Sequence, residues 1–362
     1  MSRPTVIDAD GHVQEKYIRW EDYLEEPFRS QAPRVVKDNR GVDFLMVEGK
    51  LWPKPSGPGV GNVGAGYSRR PQATTGMEDP VQRLKDMDLE GIDTAVLFGT
   101  NVFLSLAYYE DTDNACALAR AYNNWLAEYC SRDRDRLKGV ALVPIQEPAE
   151  AAQELRRCVT ELGFVAAGTP AHSTTGGNLD NPALRPFFAA AEELDVPVCI
   201  HVGAGRPAAG TERSTNPFFN HVLTHPFEQM IGALCIVAGG ILEEYPKLRV
   251  AFLEAGAGWV PYWIERMDEH YEYMQPAVPW LKKTPGEYMR GEQVFYSFEP
   301  DEQTLPFVLD FVGHERLVFA SDYNHGDCKF PYTVSSMLER KDLPEGAMNR
   351  IMSENARRLY RL

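Results

Sequence analysis

The sequence predicts a (β/α)8 TIM barrel, an α/β fold, with a β-hairpin and loop inserted after its first strand. Three observations predict it. Short apolar, β-branched runs alternate with helix-length amphipathic segments through most of the 362 residues; eight such runs occur; and several stop on a metal-binding residue type. The alternation is the mark of βαβ units with a parallel sheet. An open doubly wound sheet shares this local pattern, so the count of eight strands with eight crossovers is what points to closure.

The strand candidates are residues 5–10, 94–98, 139–143, 164–168, 196–201, 249–254, 294–298 and 317–321. Each is a run of the Val/Ile/Leu/Phe type expected of strands covered on both faces. Helical patterns fill the gaps: residues 80–90, 113–132, 149–162, 182–194, 226–245, 259–273, 302–311 and 331–340, with a last amphipathic helix over 345–360 that closes the bottom or flank. The rhythm breaks at 34–75. There VVKDNRGVDFLMVEGKLW reads as a hairpin turning near Asn39-Arg40-Gly41, and the Gly/Pro-rich PKPSGPGVGNVGAGYSRRP follows it. Barrel active sites lie at the C-terminal strand ends, so an insertion after strand 1 is placed to act as a lid, its Gly-rich half the more mobile. The chain reads as one domain, 1–362, carrying the insertion 34–75.

Composition narrows the partners. With 37 Lys and Arg against 52 Asp and Glu, the formal charge of -15 repels nucleic-acid phosphates and anionic lipid, which excludes both as partners. No stretch approaches the ~20 consecutive apolar residues of a membrane span, and MSRPTVIDAD lacks a signal-peptide core, so the expected location is the cytoplasm. The six cysteines have no CxxC spacing and read as buried free thiols.

The chemistry gathers at strand ends. Strand 1 stops in Asp10 and His12, two apart and so on one side of an extended segment; strand 5 stops at His201 and strand 8 at Asp322. Two histidines and two carboxylates with open positions suit divalent Zn, Mn or Fe, which polarises a bound oxygen or water. Strand 6 ends at Glu254, followed by the small run Ala255-Gly256-Ala257-Gly258 that leaves room above the rim. His225, read as opening the helix before strand 6, and His325, three residues after Asp322, join Glu254 as candidate acid/base groups; Glu254 and His225 are equally candidate ligands of a second ion. Glu228 reads as a complement to the helix dipole. His172 sits at a rim position with poor context, His270 on a helix surface, and Cys328 in the strand 8 loop as an inert thiol; His221 and His314 read as structural. Trp52, Tyr67, Phe103, Phe218, Phe219 and Trp259 are candidates for an apolar wall, and Arg69, Arg70 and Arg206 for a carboxylate clamp.

With those residues in place, the chain resembles the second amidohydrolase family, which includes aminocarboxymuconate-semialdehyde, γ-resorcylate and 5-carboxyvanillate decarboxylases. The resemblance runs almost end to end, on IDADGHVQE, GIDTAVLF, VPVCIHVG, HPFEQM, GGILEEYPKLRVAFLEAGAGWVPYWIERMDEH, FASDYNHGD and SENARRLYRL. It implies a (β/α)8 barrel with one catalytic divalent ion on Asp10, His12, His201 and Asp322. Two departures stand out: Asp10 replaces the family's His or Glu, and Glu254 replaces the strand 6 His. The implied activity is a metal-dependent decarboxylase or hydrolase of a small aromatic or unsaturated carboxylic acid. The alternatives are a dinuclear iron or manganese oxygenase, or a non-catalytic metal-binding subunit of a related enzyme. The expected partners are a small carboxylate substrate and either further copies of the chain or a related subunit.

Overall fold

The computed structural model describes residues 3–15, 18–39, 41, 43–52, 72–173, 175–201 and 216–362. The chain opens with β1 (Ile7–Val13), followed by a small antiparallel sheet of β2 (Arg34–Lys37), β3 (Asp43–Val47) and β4 (Lys50–Trp52). Helix α1 (Pro80–Glu90) then leads to β5 (Thr94–Gly99), α2 (Val102–Ser105), α3 (Thr112–Cys130), β6 (Leu137–Leu142), α4 (Pro148–Arg157) and β7 (Ala166–Thr169). A two-residue ribbon, β8 (His172–Ser173) and β9 (Gly177–Asn178), precedes α5 (Arg185–Glu193), β10 (Val198–Ile200), α6 (Pro217–Ala238) and α7 (Ile241–Glu244). The remainder is β11 (Val250–Phe252), α8 (Trp259–Met274), α9 (Pro285–Met289), β12 (Val294–Phe298), α10 (Leu305–Val312), β13 (Leu317–Phe319), α11 (Thr333–Leu338), α12 (Ala347–Asn349) and α13 (Asn355–Tyr360).

Eight strands form one sheet in the order β1-β5-β6-β7-β10-β11-β12-β13, and every described pairing within it is parallel. The two ends of that order meet. His12 N donates to Tyr323 O at 2.7 Å and Asp322 N to Asp10 O at 3.1 Å, carrying hydrogen bonds across the seam between β1 and the segment after β13. This is the (β/α)8 barrel expected from the sequence, and all eight predicted strands are present within a few residues. Their apolar side chains are buried because helices cover the outer face while the barrel interior is filled.

Local chemistry sets the elements. Helix α1 starts on Asp79, whose carboxylate accepts from Val81 N at 2.8 Å, and ends on Gly91 at φ +85°, a left-handed position suited to glycine. Helix α9 carries a full capping box between Thr284 and Glu287. The register of β1 against β5 shifts between Asp8 and Gly11, a bulge that re-aims the strand where its metal-type residues stand. Gly11 leaves room there, because a Cβ would push against Arg83 Nη2 and Asp8 Oδ2 and displace these two buried side chains.

Three expectations need correction. The helix read as 226–245 starts at Pro217 instead, so His225 lies in mid-helix and Pro226 inside it. Asn216 accepts from Phe218 N at 2.9 Å and Pro217 takes the first turn, the same start signal one segment earlier. The hairpin within 34–75 gains a third strand, β4, through a turn at Glu48 (φ +47°) and Gly49 (φ +75°), the left-handed pair of a tight hairpin. The final helix is broken into α12, a π turn and α13, which tuck beneath β13 and β1 through Asn355 Nδ2 to Leu317 O (2.7 Å) and Tyr360 OH to Ala9 O (2.7 Å).

The β2–β4 sheet docks on the connection that leaves the C-terminal end of β5. Glu48 accepts from Glu110 N and Asp111 N, both at 2.8 Å, and Leu45 and Val47 join the main core. The Gly-rich stretch 53–71 lies outside the described residues, as do Tyr67, Arg69, Arg70, Arg206 and the Trp52 side chain. Among the described residues no helix is long and apolar enough to cross a membrane. All six cysteines are free thiols, five of them buried.

Candidate metal centre

Asp10 and His12 project from β1, His201 follows β10 directly, and Asp322 lies three residues past β13. All four are buried or nearly so. His12 Nε2 lies 3.6 Å from Asp10 Oδ1 and 3.4 Å from Asp322 Oδ1, and His201 Nε2 lies 3.5 Å from Asp10 Oδ1. Asp10 Oδ1 and His12 Nε2 are buried without a hydrogen-bond partner. A carboxylate oxygen and an imidazole nitrogen left so would each bear the uncompensated desolvation cost of a buried polar group. The spacing is too long for hydrogen bonds and right for ligands of a common ion: bonds of about 2.0–2.2 Å at tetrahedral or octahedral angles put neighbouring donors about 2.8–3.6 Å apart. The donor set therefore fits a divalent cation.

The donors form two overlapping groups and not one quartet. Asp10, His12 and His201 make one; His12, Glu254, Asp322 and His325 make the other. Glu254 touches both. Its Oε2 is 3.2 Å from His201 Nε2, while its Oε1 is 3.7 Å from His225 Nε2 and 3.7 Å from His325 Nδ1. His325 Nδ1 in turn lies 2.7 Å from Asp322 Oδ1, and its ring stacks on His12 at 4.0 Å.

Backbone strain and helix contacts aim these groups. Glu254 and Asp322 both hold left-handed backbone, φ +58° and +51°, which costs a non-glycine residue of order 1–3 kcal/mol. The same turn that strains each residue swings its carboxylate over the mouth. Glu254 N is tied to Ser297 Oγ at 2.9 Å. From α6, Gln229 Nε2 donates to Ile200 O and Leu253 O, both at 2.8 Å, fixing the residues just before His201 and Glu254. Phe98 stacks on His201 at 5.3 Å and Phe103 meets it edge-on at 5.8 Å.

Burial pushes the Asp10 carboxyl above its ordinary range, and it holds the His12 imidazole well below its own, aided by the neighbouring His325 and His201. Burial opposes charge on His325 too, but the Asp322 and Glu254 carboxylates outweigh it and raise the imidazole above its ordinary range. Burial likewise opposes the Glu254 carboxylate and is outweighed by His201, His225 and His325, so Glu254 stays ionised. Burial also pushes the Asp322 carboxyl well above its ordinary range, so two of the three carboxyl groups, Asp10 and Asp322, resist ionising in this buried setting, and a divalent cation is the partner that favours their charged form.

A cavity of ≈ 450 Å³ opens beside this cluster, lined in part by Glu254, Asp322, His225, His221, Asp327 and Trp259. His221, read from the sequence as structural, borders it: its ring centroid is 4.5 Å from that of His225 and its Nε2 is 3.8 Å from Asp327. The sequence carried a signal for this, two histidines at i,i+4 on one helix. Other candidates fall elsewhere. His172 pairs with Glu228 at 3.0 Å, so Glu228 is tied to a side chain and does not merely complement a helix N-terminus. His270 bonds its own helix backbone at Arg266 O, and Cys328 contacts Asn324. Phe218 and Phe219 are exposed on α6, whereas Trp259 lines the cavity.

Known proteins share this architecture. A family model described as "Amidohydrolase" matches residues 7–362. The chain is 32% identical over 296 residues to the γ-resorcylate decarboxylase of Rhodococcus jostii (strain RHA1), covering 77% of this chain and 87% of that one. Among solved structures, an amidohydrolase of Mycobacterium avium subsp. paratuberculosis K-10, map2389c, aligns over 99% of this chain and 98% of its own with a TM-score of 0.82 at 19% identity. A 5-carboxyvanillate decarboxylase of Novosphingobium aromaticivorans, solved with manganese and 4-hydroxy-3-methoxy-5-nitrobenzoic acid, aligns over 99% and 96% with a TM-score of 0.72 at 23% identity. Matched by that model from its first barrel strand to its last residue, the chain belongs to the amidohydrolase family.

Proposed function

We propose that this protein is a metal-dependent decarboxylase of a small aromatic carboxylic acid. The observation that carries the reading is the ≈ 450 Å³ cavity that borders Asp322 and Glu254 beside the buried donor cluster, in a chain 32% identical to a γ-resorcylate decarboxylase. That volume falls in the range of small-molecule sites.

Asp10, His12 and His201 are one donor group and Asp322 adjoins it through His12, 3.4 Å away; drawn onto one ion, these four are the residues that would hold it, and their mixed oxygen and nitrogen donors suit Mn, Zn or Fe in the divalent state. When bound, the ion supplies a Lewis acid for the substrate carboxylate and an adjacent oxygen. His225 lines the cavity with Nε2 toward Glu254, and its Nδ1 lies 2.9 Å from His221 O, an acceptor, so Nδ1 carries a hydrogen. The His225–Glu254 pair is thus built to hold one proton at the cavity wall and pass it to the ring carbon that bears the carboxylate. The carbon–carbon bond then breaks, its electron pair restores the ring, carbon dioxide leaves, and water reprotonates the pair. Phe103 and Phe98 shield His201 from water on the opposite side.

The test is carbon dioxide release from a panel of hydroxybenzoates, including 2,6-dihydroxybenzoate, by metal-stripped and manganese-reloaded protein. A product containing added water, or turnover indifferent to chelation, overturns the reading.

A two-ion centre is favoured by one specific observation, the splitting of the donors into two groups with Glu254 oxygens facing each. Elemental analysis near two ions per chain, with dioxygen consumed, would establish a dinuclear oxygenase in place of the decarboxylase. The six free thiols support the cytoplasmic location, and the exposed Phe218, Phe219, Val222 and Phe227 on α6 support assembly into a homo-oligomer.

A further inference from the structure

We propose that the loop 99–103, locked by Glu15, fixes the tautomers of His12 and His325 in opposite senses, so that His12 turns Nε2 and His325 turns Nδ1 to the metal centre. Glu15 and Thr100 are then positioning residues for this site. The inference concerns ring orientation alone and holds whichever reaction the centre performs.

Glu15 is buried, 1% exposed, at the end of the strand that carries Asp10 and His12. Its carboxylate accepts three backbone N–H groups of one loop: Thr100 at 3.0 Å and Asn101 at 2.9 Å on Oε2, and Phe103 at 3.2 Å on Oε1. The space it occupies is open only because residue 99 is glycine, since a Cβ there would strike Glu15 Oε1. A carboxylate is the one side chain of this length that accepts on both oxygens, so it satisfies all three donors where an amide would not.

The loop so held presents two groups to the two stacked imidazoles. Gly99 O lies 3.2 Å from His12 Nδ1, and a carbonyl can only accept, so that nitrogen carries a hydrogen and Nε2 offers its lone pair to the centre. Thr100 Oγ1 lies 3.1 Å from His325 Nε2 and 2.8 Å from Val13 O. The hydroxyl has one proton. Val13 O can only accept, so the proton is committed to it, and Thr100 must accept from His325. Nε2 of His325 therefore carries a hydrogen, leaving Nδ1 as the atom turned to Asp322 and Glu254. One loop thus sets both rings.

Long-range 1H–15N imidazole spectra of the zinc-loaded protein test this directly, with His12 and His325 assigned through single-site variants. The expected result is a proton on Nδ1 of His12 and on Nε2 of His325; a bare Nδ1 on His12 or a bare Nε2 on His325 overturns the inference. Thr100→Val removes the acceptor at nearly constant shape. It should weaken zinc affinity, read by competition with a chromophoric chelator, by about 10–100-fold, with Thr100→Ser returning it close to the original value. Glu15→Gln, which turns a donor toward the loop N–H groups, should disturb both rings together. Wild-type spectra and zinc affinity in Thr100→Val would overturn the role of Thr100 even where Glu15→Gln does not fold. None of these readouts depends on decarboxylation, so their failure is distinguishable from a failure of the proposed function.

Discussion

Arg83 and Asp8 lie beneath the metal centre, and removing one without the other should be far more damaging than removing both. Arg83 reaches from α1 into the barrel seam and is 1% exposed, while Asp8 is wholly buried. Arg83 Nη1 donates to His12 O at 2.8 Å, Nη2 stands 3.7 Å from Asp8 Oδ2, and the guanidinium sits 3.9 Å above the Tyr323 ring. Asp8 in turn accepts from Ser321 N at 2.9 Å and Ser321 Oγ at 2.6 Å, directly before Asp322. Arg83→Met leaves a buried carboxylate without its cation, a change that costs about 3–5 kcal/mol; the lost bond to His12 O is part of that figure. Spread over an unfolding entropy of about 2.1 cal/mol/K per residue, that is a fall in Tm of roughly 4–7 °C for a chain of this length. Asp8→Asn with Arg83→Met removes both charges and keeps the Ser321 contacts, so most of the loss should return, as it does when a buried pair is replaced by neutral groups. Urea unfolding of metal-stripped protein measures the cycle, and the metal content of the reloaded variants reports whether His12 and Asp322 remain aimed. A single-variant cost below about 1 kcal/mol, or a double variant as unstable as the sum of the singles, would refute the reasoning, because it would mean that the pair carries no coupling.

Three further outcomes follow from the geometry. Glu254→Gln should lower turnover by about 10²–10⁴-fold with metal content unchanged, as expected of a proton-transfer group; metal lost in parallel would make Glu254 a ligand instead. Chelator-stripped protein should melt lower than the loaded form, since its buried donors lose their common partner, and manganese at about 100 times its Kd should restore about 2.7 kcal/mol; an unchanged Tm would count against the site. Glu48→Ala should raise amide hydrogen exchange at Glu110 and Asp111, the two N–H groups that its carboxylate accepts, and unaltered exchange there would show that the β2–β4 sheet is held by its apolar contacts alone.

The sequence by itself determined the barrel and the kind of chemistry at its mouth. Each parallel strand is buried on both faces, so its apolar run is a local signal, and the residue that ends the run, His201 or Asp322, lies at the mouth because all eight strands point one way. Cap signals were legible for the same reason, although two Pro-containing starts, at Pro217 and Pro226, competed for one helix and the earlier one prevailed. Only the tertiary structure decided how the donors divide between two groups, because the separation of His12 from Asp322 is set where the first strand meets the last. It also decided that Glu254 and Asp322 adopt left-handed backbone, a state that local propensity disfavours and that long-range bonds to Ser297 and Asp10 sustain. His221 entered the cavity wall by the rotation of α6, and Glu15 and Thr100 gained their places beside the imidazoles through a loop 85 residues distant from Glu15. Burial and hydrogen-bond direction depend on what folds against a residue, and the neighbours of these side chains are remote in the chain.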